Sequence, residues 1–330
     1  MSAAGGGRTG AVVTGVGTCL PETVVDNDEV SRHLDTDHAW IHSRTGIERR
    51  RRVSPGTTTG DLAVTAGAAA LKSAGRDDCD LVVLATTTPD RRCPATAPRV
   101  ASRLGLRAAA AFDLSAVCSG FVYGLSVADA MITAGTCDRA LVIGADVYSS
   151  IVDPDDRGTA VVFGDGAGAV LLERGSTGDP GAVLHTELGS DGTGDELITI
   201  PPDGAYLTMR GSDVYARAVT TMTESARSTA AHAGWDLADV DAFVGHQANL
   251  RILTSVAKRL RLPRERVVSN IADVANTAAA SIPLALADAA AQGRIGSGDR
   301  LLLTAFGGGL TWGSAAVVWS GAEPVQDQRS

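Results

Sequence analysis

Short apolar runs alternate with longer amphipathic stretches along the chain. Residues 11–16 read as a first strand, and Cys19-Leu20-Pro21 as the turn that ends it. Asn27 is placed to cap a helix beginning near Asp28. A polar, basic segment over 37–52 surrounds Trp40 and Ile41. Helical periodicity covers 61–74, stops at Gly75, and gives way to the strand-like run 81–85. Pro94 and Pro98 bracket a loop and a helix start that 100–104 continues. The run 109–114 reads as a strand, 122–134 as a buried helix, and 140–143 and 167–172 as strands. Further on, 277–290 reads as a helix and 301–304 as a strand. Helices alternating with short apolar strands predict an α/β fold.

The pattern also repeats. Ala74-Gly75 ahead of Asp80-Leu81-Val82-Val83 is matched by Ala233-Gly234 ahead of Asp241-Ala242-Phe243-Val244. Arg103-Leu104-Gly105-Leu106 is matched by Arg259-Leu260-Arg261-Leu262, and Leu125-Ser126-Val127-Ala128-Asp129-Ala130 by Leu284-Ala285-Leu286-Ala287-Asp288-Ala289. Asp138-Arg139-Ala140-Leu141-Val142 is matched by Asp299-Arg300-Leu301-Leu302-Leu303. The four pairs keep their order at an offset near ~160 residues. The chain therefore divides into two similar halves, 11–175 and 176–320, with flexible tails expected at 1–10 and 321–330. Subtracting the offset from Asn276 lands beside Cys118, and each residue precedes a corresponding helix. A pseudo-two-fold arrangement would bring those two helix starts toward one axis.

Composition narrows the class. Of the 330 residues, 44% are apolar, which supports a sizeable core, but only 4% are aromatic, so Ala, Val, Leu and Gly must fill it. A formal charge of −9 argues against a general nucleic-acid binder. Lys72 and Lys258 are the only lysines. The cysteines Cys19, Cys79, Cys93, Cys118 and Cys137 show no C-x-x-C spacing, and no signal peptide is recognisable; both suit a reduced cytoplasm. No clean apolar run reaches ~18 residues, so no membrane span is expected.

The candidate chemistry centres on Cys118, at a strand-to-helix junction within Ala111 to Phe121. Free N–H groups and the helix dipole there favour a thiolate, the nucleophilic form. A buried structural cysteine is the competing reading. His246 follows a second-half strand, where loop residues commonly carry chemistry. A neutral imidazole and the Asn276 amide can both donate to one thioester carbonyl oxygen. Two such donors would hold the enolate formed when a malonyl group loses CO2, which typically lowers a barrier by several kcal/mol. Alternatively His246 is an ordinary loop histidine and Asn276 only caps the helix after it. Phe306-Gly307-Gly308-Gly309-Leu310 is a Gly-rich turn suited to presenting a backbone N–H to an oxyanion. No Gly-Lys-Ser/Thr follows, which argues against a phosphate cradle. Gly164-Asp165-Gly166-Ala167-Gly168 precedes a strand and reads as a tight turn.

Several motifs carry a family resemblance: Trp40-Ile41 with Arg44-Thr45-Gly46-Ile47, Asp113 through Cys118 to Phe121, and Asp156-Arg157-Gly158-Thr159. To these are added Phe163 to Gly168, His246-Gln247-Ala248-Asn249-Leu250-Arg251, Asn276-Thr277 and Phe306 to Gly309. They resemble the β-ketoacyl-acyl carrier protein synthase III family of the thiolase superfamily, over nearly the whole chain. The resemblance implies duplicated α/β halves in five α-β-α-β-α layers and a homodimer. It implies acyl transfer from acyl-CoA to Cys118, then decarboxylative Claisen condensation with malonyl-carrier protein. That reaction primes fatty-acid or polyketide synthesis and uses no metal and no cofactor, acyl-CoA being a substrate. By motif position, His246 and Asn276 assist decarboxylation, and the Cys118 and Gly308 N–H groups form the oxyanion hole. Trp40, Arg44, Arg157, Gly211, Tyr215, Ala248 and Asn249 would bind CoA. Arg251, Lys258 and Arg259 would form a basic mouth for an acidic carrier protein. Cys93 would stand on a loop that reaches the partner subunit's acyl pocket, where a bulkier residue is usual, and so would admit a longer or branched primer. Other departures are Ala275 before Asn276, Tyr215 in place of the usual Phe, and a short 195–209 segment that helps shape the acyl pocket. An acyltransferase without condensation, or a non-catalytic partner subunit of the same fold, is the alternative.

Overall fold

A computed structural model describes residues 8–325. The repeat is physical. One offset of 161 residues relates Leu81 to Ala242 and Arg139 to Arg300 at strand starts, and Gly120 to Ser281 at helix starts. The first sheet orders its strands Thr9–Cys19, Gly166–Ser176, Arg139–Asp146, Leu81–Ala85 and Ala110–Leu114. The second orders Val183–Ser190, Thr311–Val318, Arg300–Gly307 and Ala242–Gly245 in the same sense. Its counterpart of the fifth strand is reduced to one parallel bridge between Phe243 and Val267.

The layers follow from which faces are apolar. Helices Gly120–Thr133 and Ser281–Ala291 are apolar nearly all round and lie between the sheets. Helices Thr59–Ser73 and Ala97–Arg103 cover the outer face of the first sheet. Gly211–His232 and Leu250–Leu260 cover the outer face of the second. The chain thus has the duplicated five-layer thiolase-like arrangement. No described helix is long and apolar enough to cross a membrane.

Several boundaries move for physical reasons. The first strand spans Thr9–Cys19 and pairs Thr9 with Ser176, so residues 9 and 10, expected in a tail, belong to the sheet. Residues 1–7 and 326–330 of the expected tails lie outside the described residues. Asn27 does not cap its helix; Asp26 does, accepting from Glu29 N at 2.8 Å. Asn27 is buried one residue inside, donating to Ile47 O at 2.7 Å and accepting from Arg50 Nη2 at 2.9 Å. It ties the Trp40 segment to the body of the fold. Helix Thr59–Ser73 begins two residues before its apolar periodicity because Thr58 and Asp61 form a capping box. The predicted helix over 277–290 is a single-turn 3-10 helix, Ala278–Ala280, followed by Ser281–Ala291. The break comes from Ala278, whose φ is +48°.

That value has a counterpart at the same 161-residue offset: Val117 also has φ +48°. A β-branched residue rarely adopts this region, so the bend before each inner helix is held against local preference. The inner helices can approach because glycines face the bends. A Cβ on Gly144 would overlap the Ala279 carbonyl, and one on Gly307 would stand 2.8 Å from Cys118 N.

Candidate active site

The strand Ala110–Leu114 leads to the Val117 bend, which sets Cys118 in a one-turn 3-10 helix ahead of Gly120–Thr133. Cys118 is 6% exposed. Asn276 approaches from the other half. Its N–H donates to Val162 O and its carbonyl accepts from Gly164 N, both at 3.0 Å, so first-half backbone holds it on both sides. His246 follows the strand Ala242–Gly245, with its N–H bonded to Thr304 O at 2.8 Å. Cys118, His246 and Asn276 line one small, mostly apolar cavity with Tyr148, Phe163, Ile198 and Phe306.

Hydrogen bonds orient both donors. Asn276 Oδ1 accepts from Ala278 N at 2.9 Å, which fixes the amide; among the described residues Nδ2 meets no acceptor. His246 Nδ1 lies 2.6 Å from Ser281 Oγ, and among the described residues Nε2 has no partner. When Ser281 donates, Nε2 carries the proton. Burial pulls His246 down to about 3, so the ring is neutral at physiological pH and fits the donor role.

The thiol corrects one expectation. Burial first, and then the nearby Asp146, push Cys118 well above the ordinary cysteine range. These outweigh its own backbone N–H and the Tyr148 hydroxyl, which pull it down. The free protein therefore holds a thiol at rest rather than a standing thiolate, because the junction that supplies N–H groups is also dry.

Asp146 was not legible in the sequence as part of the site. It ends the strand Arg139–Asp146, fully buried. Oδ1 accepts from Thr87 N at 2.7 Å and Thr88 N at 3.2 Å, and Oδ2 from Ala279 N at 3.2 Å, across the two halves. Burial raises its carboxyl to about 7 against these bonds. Ser281 and Tyr148 were missed too. Tyr148 is fully buried and stacks on Phe163 with centroids 4.5 Å apart. Nothing local marks any of the three; their partners lie far along the chain.

The Gly-rich turn reaches Cys118, with Gly307 against its backbone. Gly308 N–H has no acceptor among the described residues. Thr311 Oγ1 bonds both Ala116 O and Gly308 O, linking the turn to the cysteine loop. Asp165, in the tight turn, accepts from Val53 N and Ser149 N at 3.0 and 2.9 Å and serves the scaffold.

A second cavity of about 560 Å³ adjoins the first, sharing Asn276, Ala248, Met209, Val214 and Ile252. Trp40, Arg44, Arg157, Gly211, Tyr215, Ala248 and Asn249 all line it. The Arg157 and Arg44 guanidinium carbons lie 5.0 and 5.7 Å from the Trp40 ring centroid, a cationic and aromatic rim. Asn249 also caps helix Leu250–Leu260 and donates to Arg44 O at 3.0 Å, so its side chain is partly committed to the scaffold. Arg251, Lys258 and Arg259 are exposed on that helix. Cys93 is exposed and lines neither cavity of this chain.

A buried cysteine facing a neutral histidine and an asparagine, at the end of a substrate-sized cavity between duplicated halves, defines a condensing enzyme of thiolase-like fold. Comparison with known proteins agrees. A family model described as 3-oxoacyl-[acyl-carrier-protein (ACP)] synthase III matches residues 112–192, and the model of its C-terminal part matches 230–319. The β-ketoacyl-[acyl-carrier-protein] synthase III 2 of Streptomyces coelicolor is 98% identical over 100% of both chains. The crystal structure of a 3-oxoacyl-(acyl carrier protein) synthase III from Pseudomonas aeruginosa superposes with TM-score 0.93 at 51% identity, covering 96% of this chain and 100% of that one. The priming β-ketosynthase of the R1128 polyketide pathway superposes with TM-score 0.91 at 34% identity, covering 97% and 98%. The chain belongs to the 3-oxoacyl-[acyl-carrier-protein] synthase III family.

The raised thiol gives a direct prediction. Alkylation of Cys118 by iodoacetamide, followed by peptide mass spectrometry, is expected to keep accelerating as pH passes 9.0, the ordinary value. A plateau near neutral pH would mean a standing thiolate.

Proposed function

We propose that the chain joins an acyl-CoA primer to a malonyl-carrier protein in two steps at Cys118. In the first, Cys118 Sγ attacks the thioester carbonyl and CoA departs as the thiol, its sulfur receiving the proton that Cys118 loses. In the second, the malonyl carboxylate leaves as CO2 and its electron pair forms an enolate. His246 Nε2–H and Asn276 Nδ2–H hold the enolate oxygen. The enolate carbon then attacks the Cys118 thioester, the Cys118 and Gly308 N–H groups carry the oxyanion, and its collapse expels the Cys118 thiolate, which takes one proton from solvent to return to the thiol. The observation that carries this reading is the pair of oriented donors, each with one atom fixed by the protein and the other free toward the Cys118 cavity.

CoA is assigned to the larger cavity, its adenine at the Trp40–Arg157–Arg44 rim and its pantetheine passing Gly211, Tyr215, Ala248 and Asn249. Exposed Arg251, Lys258 and Arg259 suit an acidic carrier protein on an otherwise negative molecule. The enzyme is read as a cytoplasmic homodimer whose condensation reaction uses no metal or cofactor, priming fatty-acid or polyketide synthesis. The exposed Cys93 loop is free to reach a second subunit's acyl pocket.

Two measurements test this. Asn276→Ala is expected to keep acylation from acyl-CoA while malonyl decarboxylation falls about 100-fold or more. Ser281→Ala should lower decarboxylation more than acylation, with Ser281→Thr restoring it. Loss of both half-reactions together would contradict the assigned roles. Separately, a panel of acyl-CoA primers should show longer and branched chains disfavoured in Cys93→Phe relative to the unaltered protein; identical profiles would remove Cys93 from the pocket.

A further inference from the structure

The strand Val183–Ser190 is the outer edge of the second sheet. Alternate residues of a strand share a face, so His185 and Glu187 point the same way. Thr186 points to the opposite face and bonds Ser126 Oγ at 2.8 Å. Helix Gly211–His232 covers the first of these faces and ends at His232. The His185 and His232 rings stack, with centroids 4.8 Å apart and planes at 16°. One nitrogen or oxygen from each of His185, Glu187 and His232 lies within 4.8 Å of the other two. The outer ligand is oriented as well. His232 Nδ1 lies 2.9 Å from the Ser228 carbonyl oxygen. A carbonyl only accepts, so Nδ1 bears the hydrogen and Nε2 keeps its lone pair. That arrangement, one ring nitrogen on a carbonyl and the other free, is how metal-binding histidines are typically held.

We propose that His185, Glu187 and His232 form a binding site for one late divalent transition-metal ion of the Zn2+ type, joining the edge strand to the end of the helix. Two imidazole nitrogens and one carboxylate oxygen, with a fourth position open to water, suit Zn2+, Co2+ or Ni2+ and not a hard cation such as Mg2+. Bound ligands would sit about 2 Å from the ion, so the three side chains must close further. His185 and Glu187 are partly exposed and turn to meet the ion, opening the near-parallel ring stack, while His232 keeps its bond to Ser228. None of the three lines the Cys118 cavity or the cavity beside it. The site is therefore separate from the condensation chemistry. It exists only when helix and strand are docked, so ion binding stabilises the folded chain by linkage.

The test uses the full chain, free of any affinity tag and stripped with chelator. Zn2+ is added during calorimetric titration and during thermal unfolding, with Mg2+ in parallel. One equivalent of Zn2+ is expected to bind saturably and raise Tm, with no response to Mg2+. His185→Gln and His232→Gln should each weaken binding at least tenfold and abolish the rise in Tm. His232 lies at an exposed helix end, so that variant should stay folded, as circular dichroism would confirm. Because thiols also take Zn2+, Cys93→Ser is included and should bind as the unaltered protein does. Zn2+ binding unchanged in both histidine variants, binding lost in Cys93→Ser, or no saturable binding would each overturn the site.

Discussion

Cys118 stands on one inner helix start and Asn276 just ahead of the other, and each start packs against a strand end of the opposite half. Position by position at the 161-residue offset, Cys118 corresponds to Ala279, and Asp146 to Gly307. Where the second half offers Gly307, only a bare backbone fits against Cys118 N. Where the first half offers Asp146, a carboxylate receives Ala279 N–H. The same contact is thus solved once by removing a side chain and once by supplying an acceptor. Without either, a bend held at φ +48° would lose its support, and the bend sets the direction of the reactive residue beside it.

This contact explains why the duplicated halves no longer share chemistry. The first half keeps both the nucleophile and a buried acid at its strand end. The second half has alanine in the nucleophile's place and glycine in the acid's, and that glycine makes room for Cys118. The resulting dry pocket keeps His246 neutral and Cys118 protonated at once. Neutral donors suit an enolate, since a full positive charge beside the malonyl carboxylate would oppose its loss as CO2.

Much of this was legible in the sequence because it rests on local patterns. Strand-like apolar runs, the Ala-Gly and Asp-Arg landmarks of the repeat, and the residues around Cys118, His246 and Asn276 are contiguous signals. The seven residues assigned to CoA came from family motifs, and all seven line one cavity. What sequence could not supply depends on distant partners. Asp146 looks like the polar end of a strand until Thr87, Thr88 and Ala279 close around it. Ser281 looks like an ordinary helix residue until His246 meets it 35 positions away in the chain. The standing thiolate failed for the same reason: a helix start is visible in sequence, whereas complete burial is not. Asn27 was a plausible cap by type, but the preceding aspartate took that role and left the asparagine to the interior.

The central claim is that one sulfur accepts the acyl group and then gives it up to a carbon nucleophile formed in the same cavity. The most direct measurement is a single-turnover chase. Protein acylated with isotopically labelled acyl-CoA is mapped by peptide mass spectrometry, then mixed with malonyl-carrier protein. The account predicts the label on the Cys118 peptide alone, followed by its transfer into a β-ketoacyl-carrier protein with release of one CO2 for each label transferred. Label on another residue, or label released only as free acid while CO2 is lost, would contradict it.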